Sequence, residues 1–290
     1  VNRGGSKGNN TIQKDYFLPS LNLKYNLNDK NSLRLGASKT YTLPQAKEIS
    51  PYRYVGVNFN SQGNPNLKPS DHYNLDLKWD FNSTPTELIS LTAFYKLIKN
   101  PISRIEVASA GGYLSYENIA DKATVAGVEV EIRKNLFVRP VSNAAHGMNK
   151  LSLGLNGSYI YTNAKMPLAT VTTGLQLEGA APWIVNFDLS HNFTKGERSF
   201  VNTLVLNYVS DKIYTIGTQG YQDMMEQGVL TLDFVSQAKL NKHLSLNLKA
   251  RNLLNPSYKL SRKANENGEK VILNDYKKGI NISLGVSCTF

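Results

Sequence analysis

Cysteine is nearly missing from this chain. Cys288 is the only one in 290 residues, so no internal disulfide can form. Long apolar runs are missing too: no stretch approaches the roughly 18 residues that a membrane-crossing helix needs. That excludes spanning helices but not a membrane. A spanning β-strand puts lipid-facing residues on alternate positions and keeps a low average hydropathy, and the mean hydropathy here is negative. No helix-period segment stands out. No Gly-rich phosphate loop is present: Gly4-Gly5 and Gly111-Gly112 read as loop punctuation. The histidines, His72, His146, His191 and His243, fall in separate elements without metal-ligand spacing. No metal, cofactor or catalytic constellation is therefore expected. Nor does a signal peptide open the chain, since Val1 to Asn10 is polar and Gly/Asn-rich. An exported protein would have its true N-terminus elsewhere.

What the chain has is alternation. Tyr73, Leu75, Leu77, Trp79 and Phe81 are apolar, while Asn74, Asp76, Lys78 and Asp80 are polar. This is a strand wet on one face and apolar on the other. Gly63-Asn64-Pro65-Asn66-Leu67-Lys68-Pro69 precedes it and fixes a turn with an extended lead-in. The pattern recurs in Leu21–Leu27, Leu33–Tyr41, Leu88–Ile98, Leu151–Tyr161, Trp183–Leu189, Leu230–Phe234, Leu244–Leu248 and Ile280–Phe290. Tyr113–Arg133 reads as one long strand with a bulge near Asp121. Phe200–Tyr208 is a strand whose facing stays open, because both registers carry apolar residues. The count is eleven strands. Lys134–Asn149 reads as a connector of unusual length, and 42–69, 100–112, 163–181, 210–227 and 255–268 as loops.

The connectors alternate between short and long. A transmembrane barrel has short periplasmic turns and long outer loops, whereas a soluble sandwich has no reason to sort connectors by parity. Aromatics gather at strand ends, as membrane girdles do: Tyr73, Tyr95, Tyr159, Tyr161 and Trp183 toward the outer side, Trp79, Phe81 and Phe193 toward the inner. Tyr41 joins the outer set, Tyr25 and Phe290 the inner. The expected fold is all-β, a transmembrane antiparallel β-barrel. Single-chain bacterial barrels close with even strand numbers, so eleven predicts the C-terminal half of about 22 strands. An open half barrel has two unpaired edges, which lipid does not tolerate; alone it should not be a stable membrane monomer.

The formal net charge is +11, spread over turns, loops and polar strand faces without a dense cluster. Solvated charge is the plain reading; an anionic cargo or lipopolysaccharide phosphates are the functional one. No basic helix or aromatic platform points to nucleic acid. Tyr52-Arg53-Tyr54, and Tyr214 with Tyr221, are the outer-loop candidates for binding a sugar ring or an aromatic, anionic chelate. Cys288 alternates with the polar residues of the last strand and so faces lipid or a neighbour.

Several motifs in order resemble the C-terminal barrel of TonB-dependent outer-membrane receptors. Asn64-Pro65-Asn66-Leu67-Lys68-Pro69 resembles the family's Asn-Pro-x-Leu-Lys-Pro-Glu signature, with Ser70 in place of Glu. Phe94-Tyr95-Lys96 with Ile98–Ile102, Asn118 with Gly127-Val128-Glu129-Val130-Glu131, and Asn252-Leu253-Leu254-Asn255-Pro256-Ser257-Tyr258 follow in the family's order. Phe290 matches the terminal aromatic such barrels present to the insertion machinery. The resemblance implies outer-membrane location in a Gram-negative bacterium and contact with lipid and lipopolysaccharide. It also implies a plug domain and a TonB-contacting segment, neither of which the sequence contains, and import of a ferric chelate, a corrinoid or a glycan. Glu129, Glu131 and Arg133 share a strand face. Their carboxylates, about 7 Å apart, superficially suit hydrolysis, but the family motif makes them a lumen-facing ion-pair lattice against the plug. A passive porin or adhesin barrel is the alternative. A barrel enzyme built on Asp71 and His72 is a further rival.

Overall fold

The computed structural model describes residues 15–109, 112–141, 147–170, 176–264 and 268–289. Phe290, His146 and the N-terminal ten residues lie outside the described residues. In chain order the strands begin β1 (Ser20–Asn26), β2 (Asn31–Thr42), β3 (Arg53–Tyr54), β4 (Ser61–Gln62) and β5 (Ser70–Thr84). Next come β6 (Glu87–Lys99), β7 (Ile102–Val107), β8 (Tyr113–Asn118), β9 (Lys122–Pro140) and β10 (Met148–Ala164). Then follow β11 (Trp183–Lys195), β12 (Arg198–Val209), β13 (Lys212–Thr215), β14 (Met224–Glu226) and β15 (Val229–Lys239). The chain ends with β16 (Leu244–Arg251), β17 (Ser257–Lys263), β18 (Lys270–Lys277) and β19 (Asn281–Cys288). One short helix, α1 (Ala46–Ile49), interrupts the first long loop.

Eleven strands form one antiparallel wall in the order β1-β2-β5-β6-β9-β10-β11-β12-β15-β16-β19. Neighbours are joined alternately by short turns and long loops, so the expected count and meander hold. Among the described residues β1 and β19 do not pair, and the wall is an open piece of barrel. Register carries one face across all eleven strands. Leu35 pairs with Leu77, Leu77 with Ala93, and Ala93 with Val128. Val128 pairs with Tyr159, and Tyr159 with Trp183. The side chains on this face stand out from the wall: Leu77 is 50% exposed and Leu284 72%. The opposite face carries Asp76, Asp80, Glu129, Glu131, Asp188 and Asp233. Apolar-out and polar-in is the pattern of a barrel bathed in acyl chains. Pairing also fixes β12. Leu204 lies between Leu189 and Phe234, so it faces outward with Leu206 and Tyr208, and Val205 faces inward.

Three expectations are corrected. The 113–133 stretch is two strands: β8 leaves the wall, and β9 starts afresh at Lys122. The irregularity in β9 lies far from Asp121, opposite Leu151 and Ser152. The 134–149 connector is mostly strand, since β9 runs to Pro140 and β10 begins at Met148. The long loops are not irregular. They hold two small sheets, β3-β4-β8-β7 and β13-β14-β17-β18, joined by a parallel bridge from Ile105 to Ile216. The tightest apolar packing lies here, with Ile213 and Ile216 fully buried beside Ile105, Ile119 and Met166. Ala123 and Ala164, at the outer end of the wall's inward face, complete this cluster. One side of the wall is apolar and exposed and the other is lined by polar residues, so dry packing collects in the loops.

Gly63 and Gly127 are among the glycines that close approach requires. A Cβ on Gly63 would sit within 2.7 Å of the carbonyl oxygens of Lys47, Glu48 and Ser50, which wrap the end of α1. A Cβ on Gly127 would run into the Phe94 ring and the Tyr159 carbonyl oxygen. Phe94 covers the gap that the missing side chain leaves on the inward face. The Tyr159 oxygen is backbone and cannot yield, so Gly127→Ala is expected to cost about 3 kcal/mol through overpacking. The heat-modifiable, folded fraction on a gel should fall several-fold. Adding Phe94→Ala should restore it only in part. A native folded fraction in Gly127→Ala would show that the contact is not limiting.

Candidate functional site

The turn before β5 anchors the loops. Asn64 Nδ2 donates to the Tyr116 carbonyl at 3.0 Å, and the Lys68 N–H donates to Asn118 Oδ1 at 2.8 Å. Asn118 Nδ2 donates to the carbonyls of Lys68 at 3.0 Å and Asn100 at 2.9 Å. Two motifs far apart in sequence are thus one clamp, holding β8 beside the start of β5. The 252–258 motif does the same at the other end. Asn252 and Asn255 take positive φ of 58° and 43°, a conformation asparagine tolerates. Their side chains hold the backbone of Gly279 at 2.7 and 3.1 Å.

Between the two loop sheets lies a cavity of about 420 Å³. Phe59 and four tyrosines, Tyr116, Tyr214, Tyr258 and Tyr276, supply its aromatic lining. Lys47, Arg104 and Lys259 supply three cations against the single carboxylate of Glu226. Each sheet contributes by strand alternation: β7 gives Arg104, β8 gives Tyr116, β17 gives Tyr258 and β18 gives Tyr276. The Arg104 guanidinium lies 4.4 Å from the centre of the Tyr214 ring and 3.3 Å from Glu178 Oε1. Glu178 also accepts the Arg104 backbone N–H. Tyr258 and Tyr276 stack at 5.4 Å, with Lys278 Nζ 3.8 Å from the Tyr258 ring centre. Burial pushes the Tyr116 phenol up, the Arg104 guanidinium opposing it, so Tyr116 is a hydrogen-bond donor at neutral pH. Burial also pushes the Glu178 carboxyl up, offset in part by the Arg104 N–H and guanidinium. The folded state therefore holds that proton more tightly than the unfolded chain. Glu178's contribution to stability declines as pH rises through and above the ordinary carboxylate range.

Of the five outer-loop candidates, Tyr214 alone lines this cavity. Tyr221 lies under Arg262, at 5.3 Å, beside the sheet-bridging pair of Arg262 with Glu106. Tyr52, Arg53 and Tyr54 stand away on β3 and its lead-in. Tyr52 is 75% exposed, and Arg53 and Tyr54 are taken up by Tyr113 and Lys47. The lining residues that sequence reasoning missed had a signal: residues 102–107, 257–263 and 270–277 can be read as short strands.

The wall residues are placed as follows. Tyr73, Tyr95, Tyr159, Tyr161 and Trp183 lie on the apolar face toward the long loops, with Tyr159 and Trp183 in contact at 4.6 Å. Trp79, Phe81 and Phe193 lie on the same face toward the short turns, Trp79 donating to Asn31 at 3.3 Å. Glu129, Glu131 and Arg133 share the inward face. Arg133 pairs with Glu131 at 2.6 Å, and Glu129 accepts from Asn156 at 2.6 Å. His72 contacts Thr42 at 2.9 Å on the inward face, while Asp71 lies on the outward one. Consecutive strand residues cannot converge, so no acid–base pair forms there. Among the described residues no cluster of His, Cys, Asp and Glu could hold a metal.

Comparison with known proteins completes the description. A family model described as "TonB dependent receptor-like, beta-barrel" matches residues 1–253. The "Iron-regulated outer membrane virulence protein" of Vibrio cholerae serotype O1 is 24% identical over 79% of this chain and 34% of its own length. A mutant ferric enterobactin receptor from Pseudomonas aeruginosa, solved with enterobactin, superposes with a TM-score of 0.58 at 17% identity. It covers 94% of this chain and 40% of that one. The ferric yersiniabactin uptake receptor of Yersinia pestis gives 0.58 at 16% identity, over 94% of this chain and 37% of its own. The chain spans about a third of the length of the curated relative it matches.

Proposed function

This chain belongs to the TonB-dependent receptor β-barrel family, and on that basis we propose that it forms the C-terminal part of an outer-membrane receptor importing an anionic, aromatic metal chelate. The family is one of transport receptors, not of enzymes, and so favours uptake over a passive porin, an adhesin or a hydrolase. The cavity between the loop sheets carries the reading. Three cations and one carboxylate line it, with Arg104 and Lys259 held from behind by Glu178 and Asp275, and flat phenol rings offer stacking surface. A ferric catecholate or phenolate complex presents the complement: net negative charge and aromatic edges. A corrinoid or a neutral glycan would not use the charge.

In this reading Arg104 and Lys259 draw the chelate in, and the Tyr258–Tyr276 stack holds its rings. The inward Glu131–Arg133 ion pair and the neighbouring Glu129 meet a plug domain carried by the same receptor. Energy for passage through the wall comes from TonB acting on that plug. The relatives named for iron or ferric chelates support the cargo class.

The test uses the full-length receptor, with ferric enterobactin, ferrichrome and cyanocobalamin as probes. Tight binding of the anionic catecholate alone is expected. Tyr214→Ala with Tyr276→Ala should weaken it by roughly thirtyfold or more, the scale of a buried aromatic anchor. Preference for the neutral probes, or unchanged binding in the double variant, would overturn the assignment.

A further inference from the structure

We propose that Glu178 is a built-in counter-anion for Arg104, which shares the guanidinium with an anionic cargo and so sets how firmly the cavity holds that cargo and how fast it leaves. The inference rests on the cargo reading and deepens it. Glu178 touches Arg104 twice. Its carboxylate accepts the Arg104 backbone N–H, and its Oε1 lies 3.3 Å from the guanidinium. Arg104 lines the cavity, and Glu178 stands behind it. The segment that carries Glu178 is fastened on both sides. The Leu177 N–H donates to Thr162 Oγ1 at 3.0 Å, and the Gly179 N–H donates to the Ile213 carbonyl at 2.8 Å. Leu177 itself is buried in the loop core.

A carboxylate fixed behind the binding cation repels any anion in front of it. The cargo therefore gains less from Arg104 than a free guanidinium would give. The same contact eases departure, because Glu178 stays on the guanidinium and no buried charge is left without a partner. Asp275 stands behind Lys259 in the same way, at 3.8 Å, but its side chain is 44% exposed against 21% for Glu178. Water screens that outer pair more, so Glu178 has the larger effect. Glu226, on the cavity wall, is taken up by Lys212 at 3.4 Å. Glu48 of α1 and Tyr116 of β8 are the other titratable groups that feel the Glu178 charge. Burial holds the Glu178 carboxyl above its ordinary range, so mild acid removes the counter-charge and frees Arg104 for the cargo.

The full-length receptor is titrated by calorimetry with naphthalene disulfonate, an aromatic dianion whose charge does not change with pH. Release of ferric enterobactin is followed separately by stopped flow. Glu178→Gln keeps an acceptor for the Arg104 N–H and removes the charge. It should bind the disulfonate about tenfold tighter at neutral pH and release ferric enterobactin about tenfold more slowly. A gain in affinity cannot come from damage to the fold. In the native receptor, disulfonate affinity should rise as pH falls from about 7.5 to about 5. The variant should lose part of that rise, since Glu48 and Glu226 titrate in both proteins and Glu178 in one. In an Arg104→Gln background the Glu178 change should have no effect. Unchanged or weaker disulfonate binding in a folded Glu178→Gln receptor overturns the proposal, as does a gain that persists without Arg104. So does a flat pH profile in the native receptor, which needs no variant, or a native receptor that does not bind the disulfonate. A native receptor that takes the disulfonate but not ferric enterobactin overturns the cargo reading instead, and the disulfonate measurements still decide the role of Glu178.

Discussion

Leu204→Arg is expected to abolish folded receptor in the outer membrane, while Val205→Arg, one residue on, leaves it assembled. The two positions are consecutive in β12 and differ in face. Leu204 lies between Leu189 and Phe234 on the side turned to lipid. An arginine near the bilayer midplane there costs about 2–4 kcal/mol, enough to move most molecules out of the folded state when stability is marginal. Val205 lies between Asp188 and Asp233 on the inward face. An arginine there meets two carboxylates and water. The measurement is the heat-modifiable fraction in isolated outer membranes. Equal loss at both positions would mean that both faces are dry. Equal tolerance would mean that neither face meets lipid, and the barrel reading would fail.

The second large effect concerns the loops. Glu106 of β7 pairs with Arg262 of β17, and the two side chains are 11% and 18% exposed. The same residue's carbonyl accepts from Thr218 Oγ1 at 2.5 Å, and Arg262 covers the Tyr221 ring. With the Ile105–Ile216 bridge, this pair fastens the two loop sheets whose separation defines the cavity. Glu106→Ala leaves a guanidinium buried without its counter-charge, which costs about 3–5 kcal/mol. Part of that is the unmet charge itself, so Glu106→Met with Arg262→Met should recover much of the loss. Hydrogen exchange should rise across 102–107 and 257–263 in the single variant, with the wall strands unchanged. Chelate affinity should fall with it. Native protection and native affinity in Glu106→Ala would show that the sheets are held without this pair.

These two predictions draw on different amounts of sequence information. The Leu204 and Val205 contrast needed the structure for one step only. Every other wall strand announces its face through alternation, but 200–208 carries apolar residues in both registers. Its facing came from its neighbours, Leu189 on one side and Phe234 on the other. The Glu106–Arg262 pair had no sequence signal. Its members sit in separate loops, and nothing local in Ile102–Val107 or Ser257–Lys263 names the partner. The outer-loop trio at 52–54 shows the same limit from the other side. Its composition suits a ligand, yet β3 leaves it outside the cavity, while Arg104, in an apparent loop, and Tyr276, in a stretch assigned to no strand, line it. The motifs at 64–69 and 118 were legible as motifs. That they form one hydrogen-bonded clamp was not.

Alternation along nearly every segment settled, by sequence alone, that this chain makes a β-wall with one oily and one wet side. Period two is a local property, and the parity of short and long connectors then ordered the strands. The folded chain decided which distant side chains meet: the loop sheets, the aromatic and cationic cavity between them, and the carboxylate behind Arg104. Those meetings depend on register and on loops crossing one another, and residue spacing carries no trace of either.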